Sequence, residues 1–484
     1  MTKSAGGAVF AGLLAVSCNG LACTSIFKQS DDPSLRESNR FSRSLFEAAV
    51  VEAKRIQDGS AKDYALDEIT EAQAHAGYFA DALQTAQLVT SYQDQLFPKI
   101  AVAQAQAGDF VGAKETLGNY VSKRWWKETL GKIAVMEFLK GDEAGAKSDV
   151  QQLDVEAQEQ LLCEIGVHQV EAGKVTAARK TCDQIQLPYM KAQLLWEIAH
   201  AQAKTGDVQG ARVTAGRIED EEIAASIPGM FVDARLEAGD INEALRLARS
   251  LRGTERASKL LRIGEAQVRA GNKAAASETL KETTTAGLRE QDLFWKATVL
   301  GKIAAVELEG GLNATAINDL ESLHDVGRTR AAWCEVATAE ARYGDLTTAL
   351  KFAKRMGDDP ACALRGISMQ QVLRGDIEGA MKTIHVAPNL ADVSAGTAEL
   401  AQELAKRGDF ASAKKLADKV KVTGADYEQG YLAPVLRAIA RAQAKTGDIS
   451  GALEWAKGLE TPYARASSLL GVAEGIGTYP RKSN

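Results

Sequence analysis

The 484-residue chain is poor in aromatic residues, which make up 6% of it although apolar residues make up 45%. Its hydrophobic content is therefore mostly Ala, Leu, Ile and Val, a small-residue, helix-forming composition. Only nine prolines occur, scattered singly. Beyond residue 40 there is no Pro/Gly/Ser-rich or long charged stretch of the kind that separates domains, although this length exceeds one compact core. The six cysteines are too few and too scattered for a disulfide framework. Two lie near the N-terminus, and Cys163, Cys182, Cys334 and Cys362 fall at apolar helical positions that suit free buried thiols. A Cys163–Cys182 bridge is conceivable in an exported protein, but spacing alone does not establish it. The net charge of −6 is modest and gives no electrostatic reason to seek DNA, RNA or anionic lipid.

Motifs that carry chemistry are missing as well. Five histidines (His75, His168, His200, His324, His385) are spread over the chain, with no HExxH, CxxC or Cys/His cluster to bind zinc. Gly131-Lys132 and Gly173-Lys174 lack the rest of a phosphate-binding loop, and no GxSxG elbow occurs. Asn313 heads a chance glycosylation sequon. The expectation is a protein that is not an enzyme, with no catalytic residue, metal ligand or cofactor.

The N-terminus differs from the rest. In "MTKSAGGAVFAGLLAVSCNGLAC" a lone Lys3 precedes an uncharged run, Ala5 to Ser17, too short to span a bilayer but suited to a secretory signal. "LLAVSC" resembles a relaxed bacterial lipobox whose lipid-bearing residue would be Cys18, with Ala15 where Leu is usual. "GLA" before Cys23 offers another cleavage site. Residues 1–22 are expected to be a signal peptide or lipoprotein leader, and 23–40 a disordered polar tether. That places the protein in the periplasm or on the outer surface or secreted, on a lipid anchor where Cys18 is the modified residue, and with no transmembrane span; an uncleaved leader would leave it cytoplasmic.

What fills residues 41–484 is a repeat. Two stretches 241 residues apart, "EIAHAQAKTGDVQGARVTA" and "AIARAQAKTGDISGALEWA", are nearly identical. Aligned on the glycine of "TGD", the pattern recurs at Gly77, Gly108, Gly141, Gly173, Gly206, Gly239, Gly271, Gly311, Gly344, Gly375, Gly408 and Gly447, most often 33 residues apart. Eight residues before each glycine stands a large apolar residue, from Ile69 to Ile439, followed in ten of twelve units by Ala, Gly or Ser. Five residues after the glycine is always alanine, from Ala82 to Ala452, and four further on another small or apolar residue. Apolar positions three to four apart on both sides of the glycine predict two amphipathic helices. Glycine ends the first by accepting a left-handed backbone. The Asp that follows in eight units offers its carboxylate to the free N–H groups of the second. One hairpin cannot bury its own apolar face, so hairpins must stack into a solenoid whose core is a strip. Single helices at about 40–57 and 462–476 are expected to cap it; the latter repeats the first-helix pattern with Leu470, Gly471 and Ala473.

This pattern resembles the tetratricopeptide repeat over roughly residues 60–484. The resemblance implies an all-α, right-handed solenoid of antiparallel helix pairs that binds proteins or peptides. The chain departs from the family in its period, in its scarcity of aromatics and repeat-end prolines, and above all four residues before the glycine. There the family's aromatic is Gln or Glu in ten units, including Gln73, Gln104, Glu137, Gln202 and Gln443. This column reads either as a ladder that holds an extended peptide or, preferably, as a hydrogen bond closing each hairpin or bridging neighbours.

Two units are longer than the rest, at 281–302 and 422–438, and insertions in solenoids often map to the binding face. Trp295, Tyr427 and Tyr431 within them are candidate partner-binding anchors, or else fillers of an irregular stack. The function expected is a non-catalytic scaffold for a protein or peptide. A helical-repeat RNA binder is the alternative, disfavoured by the mixed charges two residues before the glycines; an accessory subunit of an enzyme or secretion complex is another.

Overall fold

A computed structural model of the chain describes residues 33–289, 291–312, 315–420 and 432–477, so the leader, Cys18, Tyr427 and Tyr431 lie outside the described residues. Those residues contain twenty-six α-helices and no strand. Each of the twelve glycines lies between two helices, as in Pro188–Thr205 and Val208–Ala215 about Gly206. Eleven of the twelve have a left-handed backbone, Gly206 at φ 95° among them; Gly344, at φ −117°, is the exception. All eight following aspartates accept a hydrogen bond from the N–H three residues on, for example Asp207 from Gly210 at 2.9 Å and Asp376 from Gly379 at 2.8 Å. A cap of this kind contributes about 1 kcal/mol. The alanine five residues past the glycine is at most 3% exposed in every unit, because two helix axes cross there too closely for a larger side chain.

First helices pack on one another around the whole molecule, whereas second helices lie against the first helices of their own and the following hairpin. The first helices therefore form the inner layer of the curve and the second helices the outer one.

The ends of this strip were expected to be two separate caps. Instead they meet. The N-terminal helix Pro33–Lys54 packs along the C-terminal helix Pro462–Gly477, and the latter also touches the first hairpin's Gly59–His75, so the all-α solenoid closes into a ring. Leu45, Phe46, Ala49 and Ala53 share one buried cluster with Leu469, Leu470, Ala473 and Ile476. Ser42 Oγ donates to the carbonyl of Ala473 at 3.3 Å. Arg437 reaches Glu68 at 2.8 Å and holds Glu474 through two nitrogens at 3.0 and 2.6 Å, and Arg465 Nε lies 2.9 Å from Glu52.

The two end helices together reproduce a hairpin. Ala49, Ala53 and Ile56 stand at the spacing of Ala82, Ala86 and Val89 in a second helix, and the Ile56 N–H bonds to the Ala53 carbonyl at 3.1 Å as Val89 does to Ala86. Leu470, Gly471 and Glu474 stand where a first helix has its large, small and Gln/Glu residues. A Cβ on Gly471 would lie 2.2 Å from the carbonyl oxygen of Arg437, so only glycine permits this approach to the helix Ala433–Lys445. A thirteenth pair is thus assembled from opposite ends of the chain. Its second helix begins at Pro33, inside the stretch expected to be tether, with proline in the one helical turn that tolerates it.

Candidate functional site

The Gln/Glu column is the most regular polar feature of the interior. Gln104, Gln169 and Gln202 accept from the hydroxyls of Thr116, Thr181 and Thr214, in the second helix of the same hairpin, at 2.7, 2.9 and 2.7 Å. The Gln202 amide donates to its own turn's Asp207 at 2.7 Å, and Gln443 does likewise to Asp448 at 2.5 Å. That network helps hold Asp207 and Asp448 below the usual carboxylate range: at Asp207 the Gly210 N–H acts first and Gln202 second, at Asp448 Gln443 first. Neighbours are bridged too: Arg179, one hairpin earlier, donates to Thr214 at 2.8 Å and to Gln202 at 3.3 Å. The column therefore sits inside the hairpins, and the architectural reading describes its contacts.

Where the amide and hydroxyl are replaced, the bridge changes chemistry. Glu137 and Asp149 take their places in the Gly141 hairpin, both nearly sealed from solvent. Lys114 of the preceding hairpin lies 2.6 Å from one and 3.0 Å from the other. Burial and the neighbouring Asp149 push the Glu137 carboxyl above its ordinary range in spite of the lysine.

The surface open to solvent on the inner layer is a different column, nine residues before the glycine. It runs Glu68, Lys99, Lys132, Glu164, Glu197, Met230, Arg262, Lys302, Glu335, Gly366, Glu399 and Ala438, and Met230 alone of its large side chains is turned into the core. Basic and acidic sectors alternate around it. Some members are paired on the wall: Lys99 with Asp67 and Glu71, Lys132 with Glu128 at 2.7 Å, and Arg262 with Asp233. Glu197, Lys302 and Glu335 form no ion pair among the described residues. Burial raises the carboxyls of Glu197 and Glu335; Glu171 adds to the first, and Lys302 partly offsets the second. A groove of about 270 Å³ lies on this layer between the first three hairpins, with Ile100, Ala103 and Trp125 among its walls and Lys99 and Glu128 at its edge. The helix Leu96–Ala107 there is twelve residues long, against seventeen for its neighbours Gly59–His75 and Lys123–Leu139.

Trp295 is half-buried and packs against the cluster that includes Leu300, Ile303 and Val336. Its neighbour Phe294 is the exposed aromatic, at 57%. The alternation that puts Trp295 inside and Phe294 outside at the start of Leu293–Glu309 is visible only once the helix register is known. The longer unit at 281–302 resides largely in its second helix, Lys273–Leu288, sixteen residues where most have eight to ten.

The cysteines require a correction. Cys334, in the helix Val326–Tyr343, is bonded to Cys362, in the helix Ala361–Leu373, with their Cα atoms 5.9 Å apart. The bridge staples the first helices of successive hairpins. Cys163 and Cys182 are free and buried. Their thiols donate instead to the carbonyls of Met190 and Lys191 in the next hairpin, at 3.6 and 3.8 Å. Burial pushes the Cys163 thiol up to about 11.

Among the described residues no group of His, Cys, Asp and Glu is placed to hold a metal, and no helix is long and apolar enough to cross a membrane. No family model matches the chain, and no curated protein matches it significantly. Two solved structures are similar to it in part. A chain of the Naa15/Naa10 complex bound to HypK-THB is 13% identical, with a TM-score of 0.35 over 87% of this chain and 74% of that one. A circular tandem repeat protein with novel repeat topology is 14% identical, with a TM-score of 0.18 over 90% of this chain and 97% of that one. At these scores neither likeness bears on partner or activity.

Proposed function

We propose that the ring is a non-catalytic scaffold that holds a protein or peptide partner on its inner wall, and that it works outside the cytoplasm. The observation that carries this reading is the inner-wall column in which Glu197, Lys302 and Glu335 form no contact ion pair among the described residues. Charges not locked in contact pairs on a concave surface give orientation and selectivity to a complementary chain. The resemblance of the hairpin signature to tetratricopeptide repeats supports the same reading by fold analogy. Acidic residues at five places in the column weigh against nucleic acid, which requires a continuous basic path. The Cys334–Cys362 bond supports export, because such bonds persist in oxidising compartments.

The test places a photo-crosslinking residue at Glu197 or Lys302 and, as a control, at Val213, which is 59% exposed on the outer helix Val208–Ala215. Protein adducts are expected from the inner positions and not from Val213. Adducts arising equally from Val213, or consisting of nucleic acid, would overturn the reading. Intact mass of the membrane-extracted protein reports separately on lipid at Cys18.

A further inference from the structure

A closed ring with a binding surface on its inner wall raises the question of how a long partner reaches it. Thirteen helices at the 8–10 Å spacing of packed helices set opposite axes on the order of 40 Å apart, leaving a central opening of roughly 25–30 Å. An extended segment could enter end-on, but a segment flanked by folded domains could not.

At eleven of the joints between successive helix pairs of the chain the backbone continues from one pair to the next, so separation there leaves the gap still spanned. The seam is different. Among the described residues the C-terminal helix Pro462–Gly477 meets the N-terminal helix and the first hairpin through side-chain packing, ion pairs and the Ser42–Ala473 bond, with no backbone connection. It is the place among the described residues where the ring can part without backbone across the gap. Across it run Arg437 to Glu68, Arg465 to Glu52, and the apolar contact of Phe46, Ala49 and Ala53 with Leu470 and Ala473; Arg437 is itself held by Glu474 on the C-terminal side. The N-terminal helix is meanwhile tied to the body of the first hairpin by a bidentate Arg43–Asp81 pair at 2.7 and 2.6 Å and by the Tyr78 hydroxyl donating to the Asn39 carbonyl at 2.9 Å. Those bonds do not cross the seam. They let the N-terminal helix and the first hairpin move together.

We propose that the seam is a latch: the N-terminal helix and first hairpin swing as one body away from the C-terminal helix and admit a chain-like protein segment to the central opening from the side. The admission of a partner rests on the scaffold reading above; the latch itself does not, and its test needs no partner.

Hydrogen exchange of the full chain, read by mass spectrometry, provides that test. Arg437→Gln removes the Arg437–Glu68 bond across the seam and leaves Arg465–Glu52 in place. It is expected to speed exchange at least about tenfold, the equivalent of one lost charge-assisted hydrogen bond, in peptides from both Pro33–Lys54 and Pro462–Gly477. Peptides from Val326–Tyr343, far around the ring, should not change. Arg465→Gln should act on the same two helices by a similar factor. A covalent lock, Ser42→Cys with Ala473→Cys, placed where the two residues already touch, should abolish the acceleration when combined with either variant. Acceleration confined to the N-terminal helix would mean simple fraying and would sink the latch. Acceleration spread evenly around the ring would mean general destabilisation and would sink it too. If the latch behaves as stated and no inner-wall adduct forms, it is the scaffold reading that fails.

Discussion

Two arcs of the ring are built from the same hairpin and packed very differently. At the seam, side chains from opposite ends of the chain form part of one buried cluster that runs from Ala433 through the C-terminal and N-terminal helices to Leu153. Around Gly239, where the backbone is continuous, the core breaks into small islands: Val232 with Ala244 and Ile263, Met230 with Ala199 and Ala215, and Ala234 with Ala203 and Ala211. The cause is local. Eleven residues before the glycine, most units bury a leucine, such as Leu66, Leu130, Leu195 or Leu260; here the residue is Pro228, inside the helix Glu221–Glu237 and exposed. It lacks the N–H that would bond to Ala224 and cannot fill the leucine's place. The helix presents Met230 and Val232 to the core instead, Phe231 is left half-buried, and a cavity of about 110 Å³ opens beside Pro228, Phe231 and Leu247. Side-chain register, more than chain continuity, decides how well neighbouring units of a repeat adhere.

The largest expected effect breaks the seam. Phe46, 1% exposed, stacks edge-on against Tyr78 at 5.7 Å, and Phe46→Ala should cost about 3–5 kcal/mol in denaturant unfolding. Phe231→Ala, at an already loosened site, should cost less than half as much. Equal losses would refute the contrast between the two arcs.

The next experiment repairs the weaker arc. Pro228→Ala restores a helix-interior N–H and should stabilise the protein by up to about 3 kcal/mol, read as a rise in unfolding midpoint. A loss of stability would show that the kink, and not the missing bond, is what the Gly239 hairpin needs.

A third substitution compares the bridges between units. Gln202→Leu strands the Thr214 hydroxyl and one bond each of Arg179 and Asp207, and should cost about 1–3 kcal/mol. If melting were unchanged while partner capture was lost, the column would be a binding ladder after all.

How much of this was legible in the sequence follows from what repeats. The glycine turns, the aspartate caps and the buried alanines recur a dozen times, so the hairpin and its stacking could be read from spacing. Ring closure was half visible. The first-helix pattern of Leu470, Gly471 and Ala473 stood out, but Ala49, Ala53 and Ile56 at second-helix spacing, lacking a preceding Gly-Asp, passed as an ordinary cap. No local pattern reports that total curvature returns the last helix to the first. The Cys334–Cys362 pairing escaped for the same reason, since it depends on the register of two neighbouring first helices. Candidate partner contacts were hardest: an inner-wall column is charged like any solvated face, and only curvature makes it concave.

The smallest effect concerns a buried bridge built from charges. Between the strong seam and the weak arc, Lys114 serves two buried carboxylates, Glu137 and Asp149, where the Gly108, Gly173 and Gly206 hairpins use a neutral Gln–Thr pair. Because burial and Asp149 raise the folded-state carboxyl of Glu137, its contribution to stability is fully present below the unfolded carboxyl range and is lost as pH rises through the folded value. Glu137→Gln keeps a donor for Asp149, leaves Lys114 one carboxylate, and removes the excess negative charge. At pH 7 the variant should be more stable than the parent by about 1 kcal/mol, with the difference closing below about pH 4, where the parent carboxyl carries its proton. A difference that stays constant from pH 4 to pH 7 would mean the substitution acts through packing and not through the charge.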